Sequence, residues 1–326
     1  LLTCTKCRAS IVLGDERHAQ NDAIICSLCV KPEDDGDDIG DPETYEFPYQ
    51  ARITMGIQSY STVVEAALST FGQPIDGLFM GVELEVETGV TAHDHVAKDV
   101  THSFDGFVIC KSDGSIGHGF EIVTAPASFE EQVERWSQFF THKYPLTSFK
   151  SGRCGMHVHV SKAALSPSQL ARLNTFIYAP RNTALVEMIA QRNLRSGWGA
   201  QYAAITKKRS LLDGLSIKQK KATFSYERFR ERGALNFGGN HNTVEFRIFR
   251  GTMKPSSFLK NLEFVHALVQ FCKPGTASFK DYERPEAFKR YVSEHKFMYR
   301  NLNSYIQERE DKLRVPAPSL LQAMSA

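Results

Sequence analysis

The sequence predicts an α+β fold: antiparallel strands with one polar and one apolar face, helices to cover the apolar face, and a small metal-held module in front. Three observations predict it. Several short segments alternate apolar and polar residues with a period of two, as strands with one packed face do. Longer segments repeat apolar residues at helical spacing and carry capping residues or prolines at their ends. Two Cys-x-x-Cys pairs, Cys4/Cys7 and Cys26/Cys29, lie eighteen residues apart, and two thiolate knuckles complete a tetrahedral zinc site.

Composition bounds the rest. A chain of 326 residues can bury a substantial core, and one large domain plus a small one accounts for its length. Its 39 basic and 37 acidic residues nearly cancel, so no global charge favours nucleic acid or a membrane surface. No apolar run reaches the roughly 20 residues that span a bilayer, and no charged-then-apolar secretory pattern opens the sequence. A cytoplasmic location without a membrane partner is expected.

Residues 1–31 read as a zinc ribbon, with Ile11–Leu13 and Ala23–Ile25 as short strands between the knuckles. Disulfides or a redox dithiol are the alternatives for the four cysteines; no secretion signal supports the first and no βαβ pattern the second. Cys110, Cys154 and Cys272 read as small buried hydrophobes. Residues 32–48 are an acidic linker with little to bury, and residues 49–326 form the main domain.

A helix is expected over Ser59–Phe71, ended by Gly72 and Pro74. The following strand, Leu78–Thr88, sets Val82, Leu84 and Val86 on one face and Glu83, Glu85 and Glu87 on the other. Thr91–Phe104 reads as a surface helix with incidental histidines at 93, 95 and 102. Phe107–Cys110 and Gly119–Thr124 read as an antiparallel pair, and the glycines between them suit a loop that approaches a ligand closely. Asp113 and Glu121 sit where these strands meet the turn.

An amphipathic helix runs from Ser128 to about Lys143 with Trp136 and Phe139 inward. The strand over 152–161 then separates Met156, Val158 and Val160 from His157 and His159, a pair that is either structural or metal- or phosphate-binding. Helices follow from Ser166 to Tyr178 and from Asn182 to Asn193. The basic stretch Arg195–Arg232 reads equally as a solvated surface or as an electropositive cover for an acidic ligand. Ala234–Phe237 and Thr243–Arg250 form a strand pair, with Glu245 and Arg247 opposite Val244, Phe246 and Ile248. Pro255–Phe271 is an apolar helix, Pro285–Arg309 supplies one or two more, and a loose tail follows Leu313.

Packing accounts for the apolar faces alone. Carboxylates gathered on the polar side repel one another unless cations neutralise them, and an oxygen-rich set with few imidazoles favours Mg²⁺ or Mn²⁺. Arginine beside such ions suits phosphate, because guanidinium offers paired donors.

These residues resemble the amidoligase family, carboxylate-amine ligases related to glutamine synthetase and glutamate-cysteine ligase. The resemblance rests on Glu83-x-Glu85, on Asp113-Gly-Ser with Glu121-Ile-Val-Thr-x-Pro126, on Gly155-Met-His157-Val-His159-Val-Ser161, and on Thr243-Val-Glu245-Phe-Arg247 before Gly251-Thr252. It implies a curved antiparallel sheet with helices on its outer face and a site over the polar face. It also implies ATP and two or more Mg²⁺ or Mn²⁺ ions, beside the structural Zn²⁺ of the ribbon. Glu83 and Glu85 would divide between two ions, Glu121 and Asp113 joining Glu85, and His157 and Glu245 joining Glu83. His159 would contact phosphate or nucleotide, Arg247 and Arg250 would stabilise the γ-phosphate, and Lys111, Ser115, Ser161 and Asn236 would contact ATP or substrate.

The implied chemistry is an acyl phosphate made from ATP and captured by an amine, with amino acids, peptides or amines as substrates. Phosphotransfer, metal-dependent hydrolysis, or a binding role with an inactive ligase-like domain are the alternatives. The sequence has no glycine-rich phosphate loop, so nucleotide binding rests on the resemblance. The ribbon and tether suit docking to a protein or nucleic-acid partner, or serve only as a stabilising appendage.

Overall fold

The computed structural model describes residues 56–60, 71–150, 153–197, 201, 203–205, 233–237 and 242–314, together with the backbone of four short amino-terminal strands. Those strands form two antiparallel hairpins, β1 (Leu2–Thr3) with β2 (Ser10–Ile11) and β3 (Arg17–Gln20) with β4 (Ala23–Cys26). The side chains of the four ribbon cysteines lie outside the described residues, as do the acidic linker, residues 61–70 of the expected first helix, most of the basic stretch and the tail.

The main domain is α+β with a fully antiparallel sheet. Its strands are β5 (Met80–Thr88), β6 (Val108–Lys111), β7 (Gly119–Thr124), β8 (Leu146–Thr147), β9 (Gly155–Ser161), β10 (Leu235–Asn236) and β11 (Thr243–Arg250). They lie in the order β10-β11-β9-β5-β7-β6, and β8 pairs with the end of β5. Strand β5 therefore has a partner on each side, which puts its glutamates within reach of both β7 and β9.

Register extends the alternation of single strands into faces. Leu84 stands opposite Ile122 on one side and Met156 on the other, and Cys110 stands opposite Ile122. All four are fully buried. In β11 the register slips by one residue between Phe246 and Phe249, so that Phe249 lies opposite Met156 and Arg250 opposite Gly155. Strict alternation would have put Phe249 beside Glu245 and Arg247. The bulge returns it to the core.

Seven helices are described: α1 (His93–Ser103), α2 (Phe129–Phe139), α3 (Pro167–Tyr178), α4 (Thr183–Ala190), α5 (Pro255–Phe271), α6 (Pro285–Glu294) and α7 (Arg300–Arg314). Capping explains several starts: Ser128 Oγ accepts from the Glu131 N–H at 3.1 Å, and Ser166 with Gln169 makes a capping box. Helix α2 ends at Phe139, short of the expected Lys143. Helix α4 stops at Ala190 because Gln191 turns left-handed, with φ 53°.

The helices cover the apolar face. Buried Gln132 of α2 donates to the carbonyls of Met80 and Ala125 at 2.8 and 3.0 Å, tying the helix to the sheet. Phe264 of α5 meets Phe249 edge-on at 6.0 Å, and Trp136 packs between Phe104 and Phe258 at 5.1 and 4.3 Å. Each such side chain contributes about 1.5–3 kcal/mol by leaving water. Cys110, Cys154 and Cys272 are all buried, and burial pushes the Cys110 thiol up to about 12. Among the described residues no helix is long and apolar enough to cross a membrane.

Candidate metal centre

The polar face assembles side chains from four strands. Glu121 of β7 stands opposite Glu85 of β5, Glu83 opposite His157 of β9, and His159 opposite Glu245 of β11. Two glycines permit these approaches. A Cβ on Gly119 would fall 1.9 Å from the Val86 carbonyl oxygen, so only glycine lets β7 close on β5 there. A Cβ on Gly251 would fall 2.0 Å from Ser148 Oγ, whose hydroxyl donates to the Glu85 carbonyl at 2.7 Å.

Two overlapping groups result, Glu83 with His157 and Glu245, and Glu85 with Glu121 and His157; within each, one ligand atom per residue lies within 4.8 Å of the others. His157 Nδ1 is 3.2 Å from Glu83 Oε2 and 3.4 Å from Glu245 Oε1, so two carboxylates converge on one ring nitrogen. Glu85 Oε2 accepts from the Gly155 N–H at 2.5 Å. Arg247 donates to Glu245 Oε1, and Asn236 Nδ2 donates to Glu245 Oε2 at 2.9 Å. His159 Nε2 is buried 3.2 Å from Glu83 Oε1 without the alignment of a hydrogen bond, while its Nδ1 meets Thr243 Oγ1 at 3.1 Å.

The electrostatics separate the carboxylates. Burial opposes ionisation of Glu83, yet the imidazoles of His159 and His157 hold it well below the ordinary range. Glu245 is likewise held down against burial by both histidines and Arg247. Glu121 goes the other way: burial, then the charges of Glu83 and Glu85, push it well above the ordinary range. His159 is raised to about 8, because the charge of Glu83 overcomes its burial. Four carboxylates thus gather with two imidazoles and the Arg247 guanidinium. That donor set is oxygen-rich, and it fits a hard divalent cation.

An open cleft adjoins this cluster, lined by Glu85, Ser115, Arg153, Gly155, His157, Arg192 and Arg247. Arg153 and Arg192 were not among the expected residues. Arg153 precedes the His-x-His strand by a few residues and could have been suspected from that position. Arg192 follows a helix end, and no sequence signal marks it.

Other expected residues are placed elsewhere. Arg250 donates to the Phe149 carbonyl at 3.0 and 2.6 Å and covers the Phe149 ring at 3.8 Å, so its guanidinium is committed outside the cleft. Ser161 Oγ accepts from the Phe79 N–H and donates to the Gly77 carbonyl, which makes it a splice at the strand end. Lys111 lies opposite Glu121 in register, but its ammonium sits 5.2 Å from the Tyr60 ring. Asp113 accepts from the Ser115 N–H at 2.6 Å, and it stands outside both groups. Glu87, half-buried between Gly119 and Thr147, and the α1 histidines 93, 95 and 102 also belong to neither group.

No protein-family model matches the chain, and no curated protein matches it either.

Proposed function

We propose that the chain is an ATP-dependent carboxylate-amine ligase whose antiparallel sheet is the curved catalytic sheet of glutamine synthetase-like enzymes. The observation that carries this reading is the convergence of Glu83, Glu85, Glu121, His157 and Glu245 into two groups that share His157, beside a cleft lined by three arginines. Glu83 and Glu245 would hold one Mg²⁺ or Mn²⁺, Glu85 and Glu121 another, with His157 between them. When bound, such ions neutralise charge on a transferring phosphoryl group.

The chain's own residues do the rest. Arg247, Arg153 and Arg192 present guanidinium donors to phosphate oxygens. His159, 3.2 Å from Glu83, would contact a phosphate or nucleotide oxygen. Asn236 holds the Glu245 carboxylate in place. In the reaction, a substrate carboxylate oxygen attacks the γ-phosphorus of ATP and ADP leaves; an amine then attacks the acyl carbon and phosphate leaves, giving an amide or isopeptide.

The test is mass spectrometry of amino acids, polyamines and peptides incubated with protein, ATP and Mg²⁺ or Mn²⁺. The expected product is two substrates joined with loss of water, with ATP and metal raising the melting temperature. A phosphorylated substrate would replace the ligase with a phosphotransferase; phosphate release alone would leave a hydrolase. For the amino-terminal module we propose one structural zinc on Cys4, Cys7, Cys26 and Cys29, with the ribbon docking a protein or nucleic-acid partner. Metal analysis should find one zinc per chain, lost in Cys4→Ser/Cys26→Ser; finding none in the wild type removes the claim.

A further inference from the structure

Lys260 is completely buried on α5, yet it touches neither metal group. Its ammonium donates to the carbonyl of Ile189 and to Gln191 Oε1 at 3.2 Å. Both acceptors belong to the end of α4, where the last carbonyls of a helix lack partners and a cation is favoured. The ring of Tyr305 on α7 lies 4.4 Å from that ammonium, and the Tyr305 hydroxyl donates to the Met188 carbonyl at 2.9 Å. Contacts at Met188, Ile189 and Gln191, all within about one turn, therefore grip the end of α4 from α5 and α7.

The end so gripped leads directly into the cleft. Gln191 takes the left-handed conformation and its N–H donates to the Glu187 carbonyl, while Glu187 Oε1 accepts from the Leu194 N–H at 3.0 Å. Between them Arg192 is turned back toward β11, where it donates to the Phe249 carbonyl at 3.5 Å and lines the cleft. Its Nη1 lies 3.6 Å from where a Gly155 Cβ would stand, beside Glu85 Oε2 and His157 Nε2. Burying an ammonium is costly, and burial pulls Lys260 down to about 7, with Arg309 adding to the effect. An apolar residue would fill the same space at less cost, so the amine's contribution lies in the bonds it makes to the turn.

We propose that Lys260 and Tyr305 are positioning residues that aim Arg192 at the anionic part of the substrate, so that α5 and α7 on the far side of the sheet set the geometry of the cleft. The inference rests on the ligase reading for the identity of the anion. Lys260→Met keeps length and removes the donor, and Tyr305→Phe keeps the ring and removes the bond to Met188. Affinity for ATP with Mg²⁺, and separately for Mn²⁺ alone, is measured calorimetrically on the whole chain for both variants, for Arg192→Met and for the double variants with Arg192→Met.

The expected result is a loss of ATP affinity of about tenfold in Lys260→Met and a smaller loss in Tyr305→Phe, with Mn²⁺ affinity unchanged. Neither variant should weaken ATP further once Arg192 is Met, because a positioning residue has no effect without the side chain it positions. Losses that add to that of Arg192→Met, or that fall equally on Mn²⁺, would show a merely structural role and overturn the inference, as would variants that bind ATP like the wild type. Tyr305→Phe decides the matter if Lys260→Met does not fold. Wild-type protein that binds no ATP overturns the functional reading, and the inference with it.

Discussion

The two faces of strand β5 do opposite work. Val82, Leu84 and Val86 are fully buried under helices and gain free energy from leaving water. Glu83 and Glu85, on intervening positions of the same strand, gather with Glu121 and Glu245; histidine and Arg247 offset the crowding at Glu83 and Glu245, and the cost falls on Glu121. One face holds the protein together; the other stores an electrostatic strain that a cation would relieve. The difference teaches that packing and the gathering of charge are separable along one strand, because its period of two assigns neighbouring residues to opposite faces.

That separation can be broken by substitution. The largest effect is expected at Glu245→Ala, which should lower the catalysed rate by about 10⁴-fold, or more than 5 kcal/mol of barrier, a larger effect than the stability lost when Arg247 and Asn236 no longer share its carboxylate. A variant that unfolds instead would join the two faces into one structural unit. Next, Leu84→Ala should cost about 2–5 kcal/mol in urea denaturation while metal affinity of the remaining folded protein is kept. Loss of metal binding at full stability would reverse the assignment of faces.

The smallest and most diagnostic effect is expected at Glu121→Gln. With chelator present this variant should be more stable than wild type near pH 7 by on the order of 1 kcal/mol, yet bind Mn²⁺ more weakly. The pH dependence fixes the sign. Because the folded pKa of Glu121 is raised, the folded state retains a proton that the unfolded chain releases, so chelated wild type loses stability as pH rises above the ordinary carboxylate range. His159 acts in the same direction: its pairing with Glu83 is fully present below about 6.5 and is lost as pH rises through about 8. Denaturation at pH 5 and pH 7.5 should show a shallower decline in the Gln variant. An unchanged slope would place the raised pKa elsewhere.

Much of this geometry was legible in the sequence. The strand carrying Glu83 and Glu85, the His157/His159 strand and the Thr243–Arg250 strand declare their polar side by alternation, Gly119–Thr124 appears as the expected antiparallel partner of Val108–Lys111, and the helix over Pro255–Phe271 appears with its expected ends. Alternation is local, so one strand suffices to read it. What stayed hidden is what depends on other strands. Arg250 was expected beside Arg247, but the bulge after Phe246 is a property of the pairing with β9, and the Phe149 carbonyl that claims its guanidinium lies about a hundred residues away. Arg192 was hidden for a local reason: the expected helix ran on to Asn193, and the left-handed Gln191 that ends it early gives no signal in the sequence. Two-residue β8 is too short to carry a period.

Gly119 carries a final consequence, for how the cleft tolerates mutation. Any replacement there, alanine included, would have to push β7 away from the Val86 carbonyl, and Glu121 is two residues further along the same strand. The crowding of Glu121 against Glu85 therefore depends on a residue that takes no part in the chemistry and has no side chain to inspect. On the proposed metal reading, substitutions at Gly119 would present as a loss of metal affinity with every acidic side chain intact, a phenotype that a search confined to charged residues would miss.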